Sequence, residues 1–182
     1  MKSEICISGF GGQGVLAVGK SLIEAGMNEG LEVTWAPSYG PEMRGGTANC
    51  SVVISDEPIG SPVFNYPTDL IAMNKPSLLK FEPRVVKGGN IFVNSSVVED
   101  KVTRTDVNAY YVPCVDIASE LGNLKVANMV MMGAYVQATG IVHAETVVEM
   151  IKAMFGVKKP QLVPLNIEAL HRGMEEIKKQ AK

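Results

Sequence analysis

The sequence has no paired cysteines and no long apolar run. Its three cysteines, Cys6, Cys50 and Cys114, form no C-x-x-C pair, so a zinc or iron–sulfur site made within this chain is not expected. They fall in apolar segments, which predicts buried, reduced thiols. The odd number of cysteines and the lack of a secretory signal pattern favour a cytoplasmic protein. The most apolar stretch, 129–136, is too short to span a bilayer, so no membrane attachment is expected.

Basic tracts and histidines are also scarce. The net charge is −2, and the missing basic patch argues against nucleic-acid binding. His143 and His171 are the only two histidines, and both are interpreted as surface or capping residues, so no general acid–base pair is predicted. The 182 residues suit one domain, 1–182, whose core needs neither disulfide nor metal.

Short apolar segments alternate with helical patterns along the chain. Strands are predicted at about 5–7, 31–35, 50–55, 69–73, 90–94 and 110–115, and helices at 14–29, 77–87, 123–139, 145–155 and 166–179. The helix at 123–139 is apolar on nearly every side and should be buried. A loop is predicted at 37–46, where prolines and glycines concentrate. The alternation predicts an α/β fold with an open, mostly parallel sheet, helices on both faces and a Rossmann-like three-layer architecture.

A glycine-rich turn follows the first predicted strand. Gly9, Gly11 and Gly14 match the pattern G-x-G-x-x-G, with Gly12 and Gln13 between them, and a helix follows. Such a turn presents free amide groups of the helix start to an anion. A dinucleotide site also needs an acidic residue after the second strand, where an apolar Trp-Ala-Pro sequence stands instead. The turn therefore packs closely on a neighbouring element, or binds a phosphate-bearing ligand or a partner's carboxylate.

A second glycine-rich segment follows the second predicted strand. It places an acidic and a basic residue, Glu42 and Arg44, between glycines. Arg44 is suited to binding a carboxylate or phosphate through two hydrogen bonds. The alternative is a self-contained loop with a surface ion pair worth less than about 1 kcal/mol. Both glycine-rich segments follow strands, so we expect them near the same end of the sheet. The candidate interface residues of this segment are Ser38, Tyr39, Gly40, Pro41, Glu42, Arg44, Gly45 and Gly46.

Three motifs together resemble one protein family. They are Gly-Phe-Gly-Gly-Gln-Gly at 9–14, Ser-Tyr-Gly-Pro-Glu-Met-Arg-Gly-Gly at 38–46, and Val-Ala-Asn-Met-Val at 126–130 before Gly133. In this order they resemble the γ subunit, or the equivalent domain, of the 2-oxoacid:ferredoxin oxidoreductases. Members of that family act on pyruvate, 2-oxoglutarate, branched-chain 2-oxoacids or indolepyruvate. The resemblance covers essentially the whole chain as one γ-type domain.

The resemblance implies a subunit of a complex that oxidatively decarboxylates a 2-oxoacid with coenzyme A. The products are an acyl-CoA, carbon dioxide and reduced ferredoxin or a similar acceptor. Thiamine diphosphate, magnesium and iron–sulfur clusters are then expected on other subunits, which would be the partners of this chain. The chain itself is expected to hold no catalytic residue, metal or cofactor and to be inactive alone. It lacks the Gly-Asp-Gly thiamine pattern and a cysteine array.

Two roles remain open for the glycine-rich segments. They dock the chain on the thiamine-binding subunits, or the first turn with Arg44 helps to hold a phosphate of coenzyme A. Asn128 is an amide in an otherwise apolar helix, and leaving it unpaired costs about 1–3 kcal/mol. It is therefore expected to cross-link neighbouring loops, or to brace the first turn or a partner.

The 2-oxoacid substrate and the functional class of the protein each have alternative interpretations. General similarity favours 2-oxoglutarate over pyruvate or branched-chain acids. A stand-alone nucleotide-binding enzyme and a regulatory binding module are the competing interpretations from other classes. Self-association of the isolated chain is also expected where apolar surface meant for partners is exposed.

Overall fold

Six strands form one sheet in the computed structural model, which describes residues 1–39 and 47–181. Two short 3-10 helices lie at Glu82–Arg84 and Leu124–Val126. The strands are β1 (Lys2–Phe10), β2 (Glu32–Tyr39), β3 (Thr47–Ser55), β4 (Asp69–Ala72), β5 (Asn90–Asn94) and β6 (Asn108–Val112), and the α-helices are α1 (Val15–Asn28), α2 (Lys75–Phe81), α3 (Cys114–Glu120), α4 (Ala127–Thr139), α5 (Ala144–Phe155) and α6 (Leu162–Gln180).

The sheet is mixed, with the strand order β2-β3-β1-β4-β5-β6. The neighbours β1, β4, β5 and β6 are parallel, whereas β3 is antiparallel to both β1 and β2. The predicted open α/β sheet is confirmed, and β3 is the strand that departs from the parallel pattern. Strand β1 is parallel to β4 on one side and antiparallel to β3 on the other. The β2–β3 connection is shorter than the roughly twelve residues of a parallel crossover, so these two strands must be antiparallel.

Strand β2 continues through Pro37, where the sequence predicted a loop. Pro37 pairs in register with Cys50 of β3, and the strand ends only at Tyr39. Proline lacks the N–H of a sheet ladder and is tolerated mainly at sheet edges. Because β2 is an edge strand, one of its sides needs no ladder, and the strand tolerates Pro37.

Alternate residues of the central strands face two hydrophobic cores. Ile5, Ile7 and Ile71 belong to the larger core, which is completed by α1 and by α3 to α6. Leu70 and Ala72 belong to the smaller core, under α2. Helices therefore cover both faces of the sheet, as the sequence predicts. No helix within the described ranges has the length and apolarity to cross a membrane.

Helices α4 and α6 approach each other through two glycines. A Cβ atom on Gly133 would lie 2.0 Å from the carbonyl oxygen of Leu170, and one on Gly173 would lie 1.9 Å from that of Val130. Real atoms cannot come so close, so a side chain at either position would push the helix backbones apart. The predicted burial of the apolar helix is confirmed, because nine of the thirteen residues of α4 are buried and none is exposed.

Helix α3 replaces the end of a predicted strand. The pattern at 110–115 predicted a strand, but β6 ends at Val112 and α3 begins at Cys114. The hydroxyl oxygen of Ser96 accepts hydrogen bonds from the amides of Val115 (3.1 Å) and Asp116 (3.0 Å). It thus caps a helix whose own N-cap residue supplies no side-chain bond. Local sequence does not reveal this start because the capping oxygen comes from the loop after β5.

Candidate functional site

The glycine-rich turn joins β1 to α1 at the carboxyl end of β1. Gly12 has φ +90° and Gly14 has φ +76°, which is the left-handed region that favours glycine. Gly14 is the N-cap of α1 and has no side chain to satisfy the helix amides. The first intrahelical bond shown at this end runs from Val18 N to Gly14 O, at 2.9 Å. The amides of 15–17 therefore precede the regular helix bonds and are available to an anion or a partner carbonyl.

Gln13 holds the turn against the neighbouring strand. Its side-chain oxygen accepts from Phe10 N at 2.7 Å, and its side-chain nitrogen donates to Met73 O at 3.0 Å. A Cβ on Gly9 would lie 2.7 Å from the same Gln13 oxygen, so glycine leaves room for the amide. The amide of Gln13, a residue predicted to bind a cofactor, is thus hydrogen-bonded within the fold.

Neutral polar groups line the sheet edge beside the turn. The hydroxyls of Ser8 and Ser77 lie 2.7 Å apart, and Asn74 accepts from Ser77 N at 2.9 Å as the N-cap of α2. Asn94 donates to Met73 O at 3.2 Å, the same oxygen that Gln13 uses. Side-chain amides and serine hydroxyls do not ionise near neutral pH, so this network positions groups rather than performing acid–base chemistry.

A cavity of about 150 Å³ opens between the turn and the start of α4. Among the described residues that line it, Lys125 is the one with a positive charge, and Leu124 and Met73 supply apolar walls. A free helix start beside an ammonium group suits an anion such as a phosphate or carboxylate. The sequence interpretation did not include Lys125, although it directly precedes the third motif. Its place beside the turn depends on the packing of α4 on α1. The cavity is lined by Gly12, Gln13, Gly14, Met73, Leu124, Lys125, Ala127 and Asn128.

Asn128 lies in the first turn of α4 and packs against the glycine-rich turn. A Cβ on Gly14 would lie 2.9 Å from the Cβ of Asn128 and 3.3 Å from its amide nitrogen. The two residues therefore touch, and glycine is required at position 14 by both its backbone angle and this contact. The structure thus brings together two motifs that lie far apart in the sequence.

The second glycine-rich segment begins at the same sheet edge. Ala48 of β3 pairs with Gly9 of β1 on one side and with Tyr39 of β2 on the other. Ser38 is an exposed strand residue, paired with Asn49. The predicted site residues Gly40, Pro41, Glu42, Arg44, Gly45 and Gly46 lie outside the described residues, as does the side chain of Tyr39.

The position of β2 argues against a dinucleotide site. That site needs a second parallel strand directly beside the first, with an acidic residue at its end. Here β3 lies between β1 and β2 and runs against both. The nucleotide alternative therefore lacks the required strand arrangement as well as the acidic residue.

The three thiols lie in the cores, as predicted. Burial raises the pKa of Cys6 to about 12, that of Cys50 to about 11 and that of Cys114 to about 12. Such thiols stay protonated at neutral pH and are poor nucleophiles and metal ligands. Within 1–39 and 47–181, no three His, Cys, Asp or Glu side chains cluster as metal ligands.

Known proteins are similar to this chain in sequence and in fold. A family model described as pyruvate ferredoxin/flavodoxin oxidoreductase matches residues 4–176. Ketoisovalerate oxidoreductase subunit VorA of Methanothermobacter thermautotrophicus is 41% identical over 171 residues, covering 93% of this chain and 35% of that protein. The 2-oxoglutarate synthase subunit KorC of Methanocaldococcus jannaschii is 38% identical over 181 residues, covering 98% of this chain and 95% of that protein. This chain thus spans about a third of one relative and nearly all of another.

A solved structure has the same architecture along its whole length. It is the gamma subunit of a keto/oxoacid ferredoxin oxidoreductase from Geobacter sulfurreducens. The TM-score is 0.84, the sequences are 29% identical, and 98% of each chain is covered. The similarity therefore includes the complete fold and not one motif.

Proposed function

The chain belongs to the pyruvate ferredoxin/flavodoxin oxidoreductase family, and we propose that it serves as an accessory γ subunit of a 2-oxoacid:ferredoxin oxidoreductase complex. The complex would oxidatively decarboxylate a 2-oxoacid with coenzyme A in the cytoplasm. Thiamine diphosphate, magnesium and iron–sulfur clusters would lie on other subunits. The gamma subunit with the same fold supports this proposal.

The observation that carries the accessory role is the chemistry of the sheet edge. The turn offers backbone amides and left-handed glycines, and the neutral side chains of Ser8, Gln13 and Asn94 beside it are hydrogen-bonded within the fold. Such an edge is suited to receive another molecule, and the described residues that line the cavity at the turn include no His, Asp or Glu for proton transfer. We propose that the two glycine-rich segments dock the chain on the thiamine-binding subunits, with Asn128 bracing the first turn from α4.

Gly12 offers a direct test of this docking. No heavy atom of the described residues lies within 4 Å of a Cβ built on Gly12 or on Gly88, and both have positive φ, +90° and +79°. Gly88 precedes β5 at the opposite end of the strands, so Gly88→Trp is a matched control for Gly12→Trp. Both variants pay a similar backbone strain of about 1–3 kcal/mol. Gly12→Trp is expected to abolish co-purification with the other subunits, whereas Gly88→Trp retains it.

Arg44→Ala extends the test to the second segment. Loss of the guanidinium is expected to weaken assembly because a bidentate contact to a partner carboxylate would be lost. Co-purification and turnover of the reconstituted complex are the measurements. Intact assembly and undiminished turnover in both Gly12→Trp and Arg44→Ala would remove the docking proposal.

A second candidate role is suggested by the 150 Å³ cavity. Its free helix start and Lys125 fit a phosphate group, and coenzyme A carries phosphates. In this role the turn at 9–14, Lys125 and Arg44 would hold one phosphate when coenzyme A is present. Lys125→Ala and Arg44→Ala are expected to raise the KM for coenzyme A in the assembled complex, with Lys87→Ala as a control. An unchanged KM in both variants would count against this role.

The 2-oxoacid itself is open to a direct assay. We favour 2-oxoglutarate, which is supported by the near-full-length relative named 2-oxoglutarate synthase subunit. The relative named ketoisovalerate oxidoreductase subunit makes a branched-chain acid the main competitor. The assembled complex is expected to reduce ferredoxin fastest with 2-oxoglutarate, compared with ketoisovalerate and pyruvate. Faster reduction with ketoisovalerate would transfer the assignment to that substrate.

A further inference from the structure

An apolar trough of about 490 Å³ lies beside the candidate site, between α1, the start of α4, the end of α5 and the start of α6. Its floor includes Val126 and Met129, which are almost inaccessible to water, together with the side chains of Phe155 and Leu162. It is more than three times as large as the 150 Å³ cavity at the glycine-rich turn. Lys125 and Asn128 line both cavities, so the two cavities are adjacent and share one stretch of surface.

Large apolar side chains stand exposed along this trough. Met154 lines it and is 43% exposed, and Leu124 at the neighbouring cavity is 61% exposed. Val157 is 93% exposed, in the turn that separates the lining residues Phe155 and Lys159. Single exposed apolar residues are ordinary, but several of them around an apolar depression mark an interaction surface.

The charges around the trough are predominantly positive. Lys20, Lys125 and Lys159 line it, and Glu24 is the one acidic residue among the described lining residues. The salt bridges found within 1–39 and 47–181 include none of these three lysines. The chain as a whole carries −2, so this region is locally positive on an acidic protein. A positive rim around an apolar floor is complementary to an acidic segment with apolar side chains.

We infer that the trough receives an acidic segment of a partner subunit, which inserts apolar side chains between α1, α5 and α6 and places carboxylates near Lys20, Lys125 and Lys159. The inference rests on the proposed accessory function and extends the docking surface from the glycine-rich edge onto the helices. The continuity through Lys125 and Asn128 joins the two contacts into one interface. A bound segment would also cover Leu124, Met154 and Val157.

Charge reversal tests the electrostatic part of this inference. Lys125→Glu/Lys159→Glu is compared with Lys87→Glu/Lys178→Glu, which changes the net charge equally but away from the trough. The readout is the dissociation constant of the full chain from the other subunits, measured over a range of salt concentrations. The trough variant is expected to bind at least about tenfold more weakly and with less salt dependence, and the control within about twofold of wild type. Equal affinities of the two double variants would overturn the inference.

Hydrogen–deuterium exchange of the chain, free and in the complex, tests the location. Assembly is expected to protect amides at 17–24, 123–129 and 154–162, and to leave 86–89 at the opposite end of the sheet unchanged. Assembly without protection of the trough would overturn this inference and leave the accessory function standing, whereas failure of the wild-type chain to assemble would overturn both. Trough protection that grows with the concentration of the chain alone would assign the surface to a second copy and would equally overturn it.

Discussion

Glycine has opposite uses in two regions of this molecule. Between α4 and α6, Gly133 and Gly173 remove side chains so that two helix backbones touch. In the turn after β1, Gly12 and Gly14 adopt a left-handed backbone, and a Cβ on Gly12 would meet no neighbour among the described residues. The first pair serves packing in the core, where any added atom disturbs the fold. The turn serves presentation of the backbone at the surface, where an added atom disturbs what binds there. The difference predicts that substitutions in the helix contact lower the stability of the chain, whereas substitutions in the turn weaken its assembly with partners.

The largest effect is expected in the helix contact. Gly173→Ala places a Cβ 1.9 Å from Val130 O, and this carbonyl cannot move without bending α4. We expect a loss in unfolding free energy of about 3 kcal/mol or more, at the upper end for overpacking. Chemical denaturation of the isolated chain provides the measurement, with Gly60→Ala as control because nothing lies within 4 Å of its Cβ. Equal stability of the two variants would contradict the claim that glycine is needed where α4 and α6 touch.

Gly14→Ala is expected to have the next largest effect, because position 14 combines both uses of glycine. Alanine there adopts a left-handed angle, which costs about 1–2 kcal/mol, and presses its Cβ on Asn128 at 2.9 Å. Gly12→Ala carries only the cost of the left-handed backbone angle, since its Cβ meets no described neighbour. The difference between the unfolding free energies of the two variants therefore isolates the Asn128 contact. A larger loss for Gly12→Ala than for Gly14→Ala would contradict this.

Gln13→Ala is expected to lower the unfolding free energy by about 1–2 kcal/mol, because it removes two hydrogen bonds, one of them partly buried. Gln180→Ala is the matched control. Its side-chain amide also makes two hydrogen bonds to backbone groups. It donates to Tyr111 O at 2.7 Å and accepts from Tyr111 N at 3.0 Å, both at an exposed edge. We expect the smaller loss for Gln180→Ala. A larger loss for Gln180→Ala than for Gln13→Ala would mean that the turn does not depend on the hydrogen bonds of Gln13.

The smallest effect is a pH dependence at the far end of α1. Burial raises the pKa of Glu29, but hydrogen bonds from Thr146 and His143 outweigh it, and the net pKa is lowered. A carboxylate with a lowered folded-state pKa stabilises above its unfolded pKa, and this contribution disappears as the pH falls below about 4. Glu29→Gln is therefore expected to flatten the acid limb of a stability–pH curve. Glu149→Gln, which removes an exposed pair with Lys152, is the matched control.

Local sequence patterns predict most of the helices and strands and the glycine-rich turn correctly. The predicted strand at 90–94 coincides with β5, and Gly14 does open α1. Contacts made across the fold were not accessible to the same reasoning. The Ser96 cap on α3 and the antiparallel place of β3 depend on which segments meet in space. For the same physical reason the sequence alone does not single out Lys125, and it does not show that the side-chain amide of Gln13 is hydrogen-bonded within the fold.

The structure of the assembled complex tests the central claim most directly. The claim is that the carboxyl edge of β1 and β2 faces the partner subunits. We predict partner atoms within about 4 Å of Gly12, while Gly88 at the other end of the strands remains open to solvent. An assembled complex in which Gly12 is exposed and the Gly88 end is covered would contradict the account.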